Sequence, residues 1–324
     1  MLSLGRGNNV IVTGISGQDG AYLAKLLCDK GYKVYGTVRE GMESKLFGLE
    51  YLKIKDKLSI IPIDMMDYKK VFRLLENVKP VEVYNLAAQS SVAVSFANPK
   101  ETLRYNVKTV LYLLEAIMKL DPDIRFYQAS SSEMYGNASK LPINEETPLN
   151  PISPYAKSKA EAHLLVKKYR EKYNLFAATG ILFNHESVLR KDNFFVKKVI
   201  RDSILIKKGE KEYLEVGNID VKRDFGYSPY YVEAMWRILQ ANTPDDYIIC
   251  SGNSIYLRDI ILYVFDLLDL EESKIIINPQ YYRPNDIQDI YGDNSKARQQ
   301  LDWQYEMSFF EVLDILVREE WVKM

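Results

Sequence analysis

Short apolar, β-branched runs alternate along the first half of this chain with segments whose leucines recur at helical spacing. Asn8 to Thr13 is the first such run, and it opens directly onto glycines. Residues 21 to 30 carry Leu23, Leu26 and Leu27 on one helical face, and Gly31 ends that helix. Further strands are predicted over 33–38, 58–63, 81–86, 124–129 and 176–183, with helices over 106–119 and 155–173. The latter helix is started by Ser153-Pro154, with proline in its first turn. Strand–helix alternation of this kind implies right-handed βαβ crossovers and an α/β, doubly wound parallel Rossmann-type sheet.

Past Asn184 the alternation weakens and aromatic, loop-forming residues increase. Residues 221–240 read as a strand or turn leading into a helix, and 257–269 and 309–321 as amphipathic helices. The expected division is a dinucleotide-binding domain over 1–185 and a smaller α/β substrate cap over 186–324. Segments near 219–250 and 286–297 are allowed to return to the first domain. A cleft between the halves is the natural place for a small molecule.

Composition narrows the classes. A net charge of −1 over 324 residues offers no basic field for nucleic acid or anionic membrane, and no apolar run is long enough to span a bilayer. Cys28 and Cys250 are far apart, which favours a reduced, cytoplasmic setting over a disulfide framework. Two histidines and two cysteines argue against a zinc site.

Chemistry enters with three motifs. Gly14, Gly17 and Gly20, with Gln18 and Asp19 between them, follow a strand and open a helix, as a pyrophosphate-binding turn requires. The second strand ends at Val38-Arg39-Glu40; Arg39 suits the extra phosphate of NADP, an acid would suit NAD, and NADP is favoured. Asp64 is placed to meet adenine, and Leu86, Ala87 and Ala88 form a small-residue strand end that a cofactor can approach closely. Tyr155 and Lys159 share a helical face, so the ammonium is expected to draw the phenol's pKa down and make it a base for a sugar hydroxyl. Ser131 stands at a strand end where it can bind the same oxygen, and Glu133 adds the second acid/base that elimination needs.

These motifs resemble the extended short-chain dehydrogenase/reductases and, more narrowly, the GDP-mannose 4,6-dehydratases. The likeness is carried by T-G-I-S-G-Q-D-G-A-Y-L (13–23), Y-N-L-A-A-Q-S (84–90), F-Y-Q-A-S-S-S-E-M-Y-G (126–136), N-L-F-A-A-T-G-I-L-F-N-H-E-S (174–187), G-N-I-D-V-K-R-D (217–224) and Y-Y-R-P (281–284). The resemblance implies oxidation at C4 of a GDP-hexose, loss of water across C5 and C6, and return of the hydride to C6. It implies Ser131, Glu133, Tyr155 and Lys159 as the catalytic set, with Tyr155 and Lys159 also touching the cofactor. It further implies Ser90, Asn184, Lys198, Arg223 and Arg283 at the nucleotide sugar.

Tyr281 and Tyr282 are more readily explained by core packing than by base stacking, and His185 and Glu186 are left undecided. Ser90-Ser91 stands where the family has Ser-His, which keeps a GDP-N-acetylglucosamine substrate beside GDP-mannose. The segment after Arg39 lacks the family's tetramer loop, so a homodimer is expected. The alternatives are a nucleotide-sugar 4-epimerase or 4-ketoreductase, which needs no Glu133, and a non-catalytic dinucleotide-binding sensor.

Overall fold

The computed structural model describes residues 7–43, 46–282 and 285–324. Its strands are β1 (Asn9–Thr13), β2 (Lys33–Val38), β3 (Ser59–Pro62), β4 (Glu82–Asn85), β5 (Arg125–Ser131), β6 (Ala177–Leu182), β7 (Asn184–Glu186), β8 (Leu214–Val216), β9 (Lys222–Tyr227), β10 (Asp246–Ile249), β11 (Ser254–Tyr256) and β12 (Ile275–Ile277). Its α-helices are α1 (Gln18–Asp29), α2 (Phe47–Tyr51), α3 (Tyr68–Val78), α4 (Val92–Ala97), α5 (Pro99–Leu120), α6 (Pro154–Tyr173), α7 (Phe195–Lys207), α8 (Ser228–Gln240), α9 (Leu257–Leu267), α10 (Ser295–Leu301) and α11 (Phe309–Lys323).

Seven parallel strands form the main sheet in the order β10-β6-β5-β4-β1-β2-β3. Both faces are covered, which is why its strands read as continuous apolar runs. One face packs α1 and α8 over Val10, Val12 and Val34; the other packs α3, α5 and α6 over Ile11, Val83 and Phe126. The order reverses between β1 and β4, and a crevice opens there at the carboxyl ends of the strands. A third apolar cluster, from α7, α9, α11, β8 and β9, forms the smaller layer above that crevice. Its strands make only a three-stranded sheet (β11-β9-β7) and a two-stranded one (β12-β8).

The doubly wound parallel sheet is the one predicted, with additions. Helix α3 was not foreseen, and α5 begins at Pro99 rather than 106. The seventh strand, β10, was not read as a strand either. It pairs in parallel with β6, and polar contacts anchor its start: Arg170 of α6 donates from Nη1 and Nη2 to the two Asp246 oxygens at 2.9 and 2.7 Å, and Thr179 Oγ1 of β6 donates to the same carboxylate at 2.8 Å.

Burial raises the Asp246 pKa, but the Arg170 hydrogen bonds and the nearby His163 outweigh it, leaving the group below its ordinary value. A depressed carboxyl stabilises the fold above its unfolded pKa, and that stability is lost as pH falls through the lower folded value. Asp246→Ala, which leaves the Arg170 guanidinium without its partner, is expected to cost about 3 kcal/mol in urea unfolding at pH 7. The difference from the unsubstituted chain should shrink only in strongly acidic solution.

Candidate active site

The crevice is bounded by the ends of β1 and β4. Thr13 Oγ1 donates to Asn85 Oδ1 at 2.7 Å and accepts from the backbone N–H groups of Leu86 and Ala87 at 3.1 Å each, so the two strand ends are laced together. The glycine loop lies directly above. Gly14 has φ +69°, and a Cβ there would sit 3.0 Å from the Ala87 backbone. At Gly20 a Cβ would come within 2.5 Å of the Gly14 carbonyl oxygen, so this residue lets α1 pack onto its own loop. No side chain caps α1, so its first N–H groups are left to a ligand at the loop.

Gln18 and Asp19 hook the loop to the segment after β6. Gln18 Nε2 donates to the His185 carbonyl at 3.1 Å, and Ser187 Oγ donates to Gln18 Oε1 at 2.7 Å. His185 Nε2 lies 2.9 Å from both Asp19 oxygens, while its Nδ1 donates to the Phe183 carbonyl at 2.7 Å. Burial opposes charge on both groups, yet their mutual attraction prevails: Asp19 is lowered to about 2 and His185 is raised above its ordinary value. The undecided His185 is thus the partner of the fingerprint aspartate, and that pairing favours its imidazolium form.

Two contiguous clefts of about 320 and 330 Å³ meet here. The first is lined by Gly14, Gly17–Gly20, Arg39, Leu86, Ala87 and Ala88; Ile63 and Met65 line its far end. Asp64 between them is exposed and accepts the Met66 N–H at 2.9 Å, so its carboxylate closes a turn of its own chain. Arg39 is hydrogen-bonded to Tyr105 on the cleft wall, whereas Glu40 is paired with Lys70 at 2.6 Å. These residues fit a dinucleotide: a glycine cradle, uncapped helix N–H groups and a cation at the ribose end.

The second cleft gathers Ser90, Ser131, Glu133, Tyr155, Lys159, Asn184 and Arg223. The strand β5 delivers Ser131, whose Oγ accepts the Glu133 N–H at 3.3 Å and so starts the short 3₁₀ turn (Ser132–Tyr135) that carries the carboxylate. Ser153 Oγ caps α6 by accepting the Ala156 N–H, and Tyr155 and Lys159 follow on the inward face.

One expectation is reversed. The Tyr155 phenol is not drawn toward neutrality but pushed up to about 12, chiefly by burial; the Ser131 hydrogen bond pulls it down, and the Glu133 charge pushes it up. Lys159 does not offset this, because its Nζ donates to the Ala129 carbonyl at 2.8 Å and sits 5.9 Å from the Tyr155 ring centre. Burial lowers the lysine itself to about 8, with Asp19 acting weakly against that.

The remaining substrate positions divide. Arg223 borders the cleft, but its guanidinium is engaged with Asp286 Oδ1 at 2.7 Å and the Ile287 carbonyl at 2.6 Å. Lys198 is outside the lining residues; its Nζ donates to the Glu215 carbonyl at 2.6 Å and lies under the Tyr281 ring. Tyr281 and Tyr282 are half exposed, 52 and 50 %, so core packing does not explain them. Arg283 lies outside the described residues. Sequence reasoning missed Arg190, which lines both clefts and stands four residues after Glu186. It also missed Asp286, the partner of Arg223.

The same fold is found in solved structures. UDP-glucose 4-epimerase from Thermotoga maritima aligns over 97% of this chain and 98% of its own, with a TM-score of 0.85 and 22% identity. RMD from Pseudomonas aeruginosa, solved with NADPH, aligns over 98% of this chain and 100% of its own, with a TM-score of 0.81 and 25% identity. Fold and site together define an extended short-chain dehydrogenase/reductase. In sequence, the family model described as GDP-mannose 4,6 dehydratase matches residues 11–316. GDP-mannose 4,6 dehydratase 1 of Arabidopsis thaliana is 40% identical over 96% of this chain and 89% of its own length; the Homo sapiens GDP-mannose 4,6 dehydratase is 37% identical over 98% and 91%. The chain belongs to the GDP-mannose 4,6-dehydratase family. The dehydratase reading therefore stands, and the epimerase reading is its alternative.

Lys159 gives a test of how the site is held. Below pH 8 the lysine is charged folded and unfolded, so the full desolvation penalty applies; it fades as pH rises through about 8 toward the unfolded value. Lys159→Met is expected to stabilise the protein at pH 7 by about 2 kcal/mol in urea unfolding. That gain should diminish above pH 8.

Proposed function

We propose that the protein is an NADP-dependent GDP-hexose 4,6-dehydratase with Tyr155, Lys159, Ser131 and Glu133 as its catalytic groups. The observation that carries this is the convergence of Glu133 and Tyr155 on one cleft that joins the glycine-loop cleft. When bound, oxidised nicotinamide would supply a hydride acceptor that later returns the hydride, and a positive charge that favours the ionised form of the phenol. Tyr155 takes the proton of the sugar's 4-hydroxyl, while Ser131, bonded to the phenol, steadies that oxygen. Once C4 is a carbonyl the C5 hydrogen is acidic; Glu133 removes it and supplies the proton with which the C6 hydroxyl leaves as water. With the hydride returned to C6 and the proton that Tyr155 took from the 4-hydroxyl delivered to C5, the product is a redox-neutral 4-keto-6-deoxy sugar.

NADP rather than NAD is supported by the different fates of neighbouring charges. Glu40 is occupied by Lys70, whereas Arg39 lines the cleft, and the RMD relative was solved with NADPH. GDP-mannose is the family's named substrate. Ser90, Ser91 and Ala93, all small, line the sugar-side cleft and favour GDP-N-acetylglucosamine as a second reading, because they leave room for an N-acetyl group at C2. A homodimer through α5 and α6, which pack side by side and leave Leu164 53 % exposed, fits the same reading. The free Cys28 and Cys250 suit a cytoplasmic enzyme.

Purified protein given NADP+ and either GDP-sugar should yield a product lighter by one water in mass spectrometry. Glu133→Gln should lower water loss at least a hundredfold yet still reduce the bound dinucleotide; unchanged turnover would favour the 4-epimerase. Arg39→Ala is expected to weaken NADP+ binding about tenfold and to leave NAD+ binding alone. Equal losses for both dinucleotides in titration would return the choice to NAD.

A further inference from the structure

Glu186 ends β7, is 3 % exposed and lines the sugar-side cleft. Its Oε2 lies 3.2 Å from Arg190 Nε, close enough for an ion pair, yet neither atom is aligned in a hydrogen bond. A buried carboxylate oxygen without an aligned donor is costly, and such groups persist where a second state or a ligand uses them. Arg190 is the natural beneficiary. It borders both clefts, and its guanidinium stacks 3.7 Å from the Phe194 ring centre, so one face of the fork is already supported. An ion-paired carboxylate beside Nε holds that edge of the fork and leaves the two terminal nitrogens to meet an anion side-on.

We infer that Glu186 is a positioning residue: its ion pair with Arg190 Nε aims the guanidinium at the junction of the two clefts, where it clamps the phosphates of the dinucleotide. The inference rests on the proposed occupancy of the glycine-loop cleft by NADP(H). Electrostatics gives it a distinctive sign. Burial raises the Glu186 pKa while the Arg190 and His185 charges oppose that; whatever negative charge Glu186 carries lies near an anion-binding site, so by charge alone its removal should tighten binding of the dinucleotide or leave it unchanged. If its task is to orient Arg190, removal weakens binding instead.

NADPH fluorescence titration of four full-length proteins decides: wild type, Glu186→Gln, Arg190→Gln and the double variant, each checked for an intact thermal melt. Glu186→Gln is expected to bind NADPH about tenfold more weakly, and the double variant no more weakly than Arg190→Gln alone, because the two residues act as one unit. Glu186→Asp keeps the charge with a shorter reach and should fall between; it carries the test if the glutamine variant fails to fold. Unchanged or tighter NADPH binding by Glu186→Gln, or losses that simply add, overturns the inference. So does a change confined to the KM for the GDP-sugar, which would put Glu186 on the sugar itself. A wild-type chain that binds no NADPH overturns the cofactor reading and this inference together, and is told apart by failing before any variant is made.

Discussion

The seam between β1 and β4 is the constraint on which the site depends. Because the strand order reverses there, no crossover covers the carboxyl ends; β1 and β4 pair directly as far as Thr13 and Asn85, and a side-chain tie continues that pairing past the strand ends. Thr13 supplies it with one hydroxyl that donates to Asn85 and accepts two backbone N–H groups. Gly14 then lies against Ala87 with no room for a side chain. The glycine loop is thereby fixed at the height from which α1 can present its N-terminus to a ligand. Everything in the first cleft is positioned relative to that tie.

The second cleft is joined to the first by charge. Asp19 and His185 form a buried ion pair, with Ser228 Oγ donating to the same carboxylate at 2.9 Å, so the fingerprint loop, β7 and the start of α8 are locked to one another. The Gln-Asp dipeptide inside the fingerprint is therefore more than a phosphate-loop filler. It is the latch by which the sugar-side wall registers on the dinucleotide-side floor.

What could be read from sequence follows how local the cause was. Strands buried on both faces and the capped start of α6 are written in contiguous residues, and they were legible. The strand β10 was not, because Asp-Tyr-Ile-Ile is short and its place depends on Arg170 and Thr179, distant in sequence. Motif spacing singled out Ser131, Glu133, Tyr155 and Lys159, which line one cleft, but the protonation balance of Tyr155 was misjudged. Burial and the Ala129 carbonyl that takes the Lys159 ammonium are tertiary facts. Lys198 illustrates the same limit: its motif places the residue nearby, while the Glu215 carbonyl decides where its ammonium rests. Arg190 was within reach, since a carboxylate and a guanidinium four residues apart are a local signal.

The contribution of β10 to the main sheet has a bearing on synthesis. The six strands that precede it are complete once Leu182 has been made, yet the outer edge of β6 stays open until residues 246–249 exist. During translation that edge offers unpaired N–H and C=O groups to any neighbouring chain. Nascent molecules on one message are thus exposed to mispairing over just this interval, and slow codons between the two stretches would lengthen it.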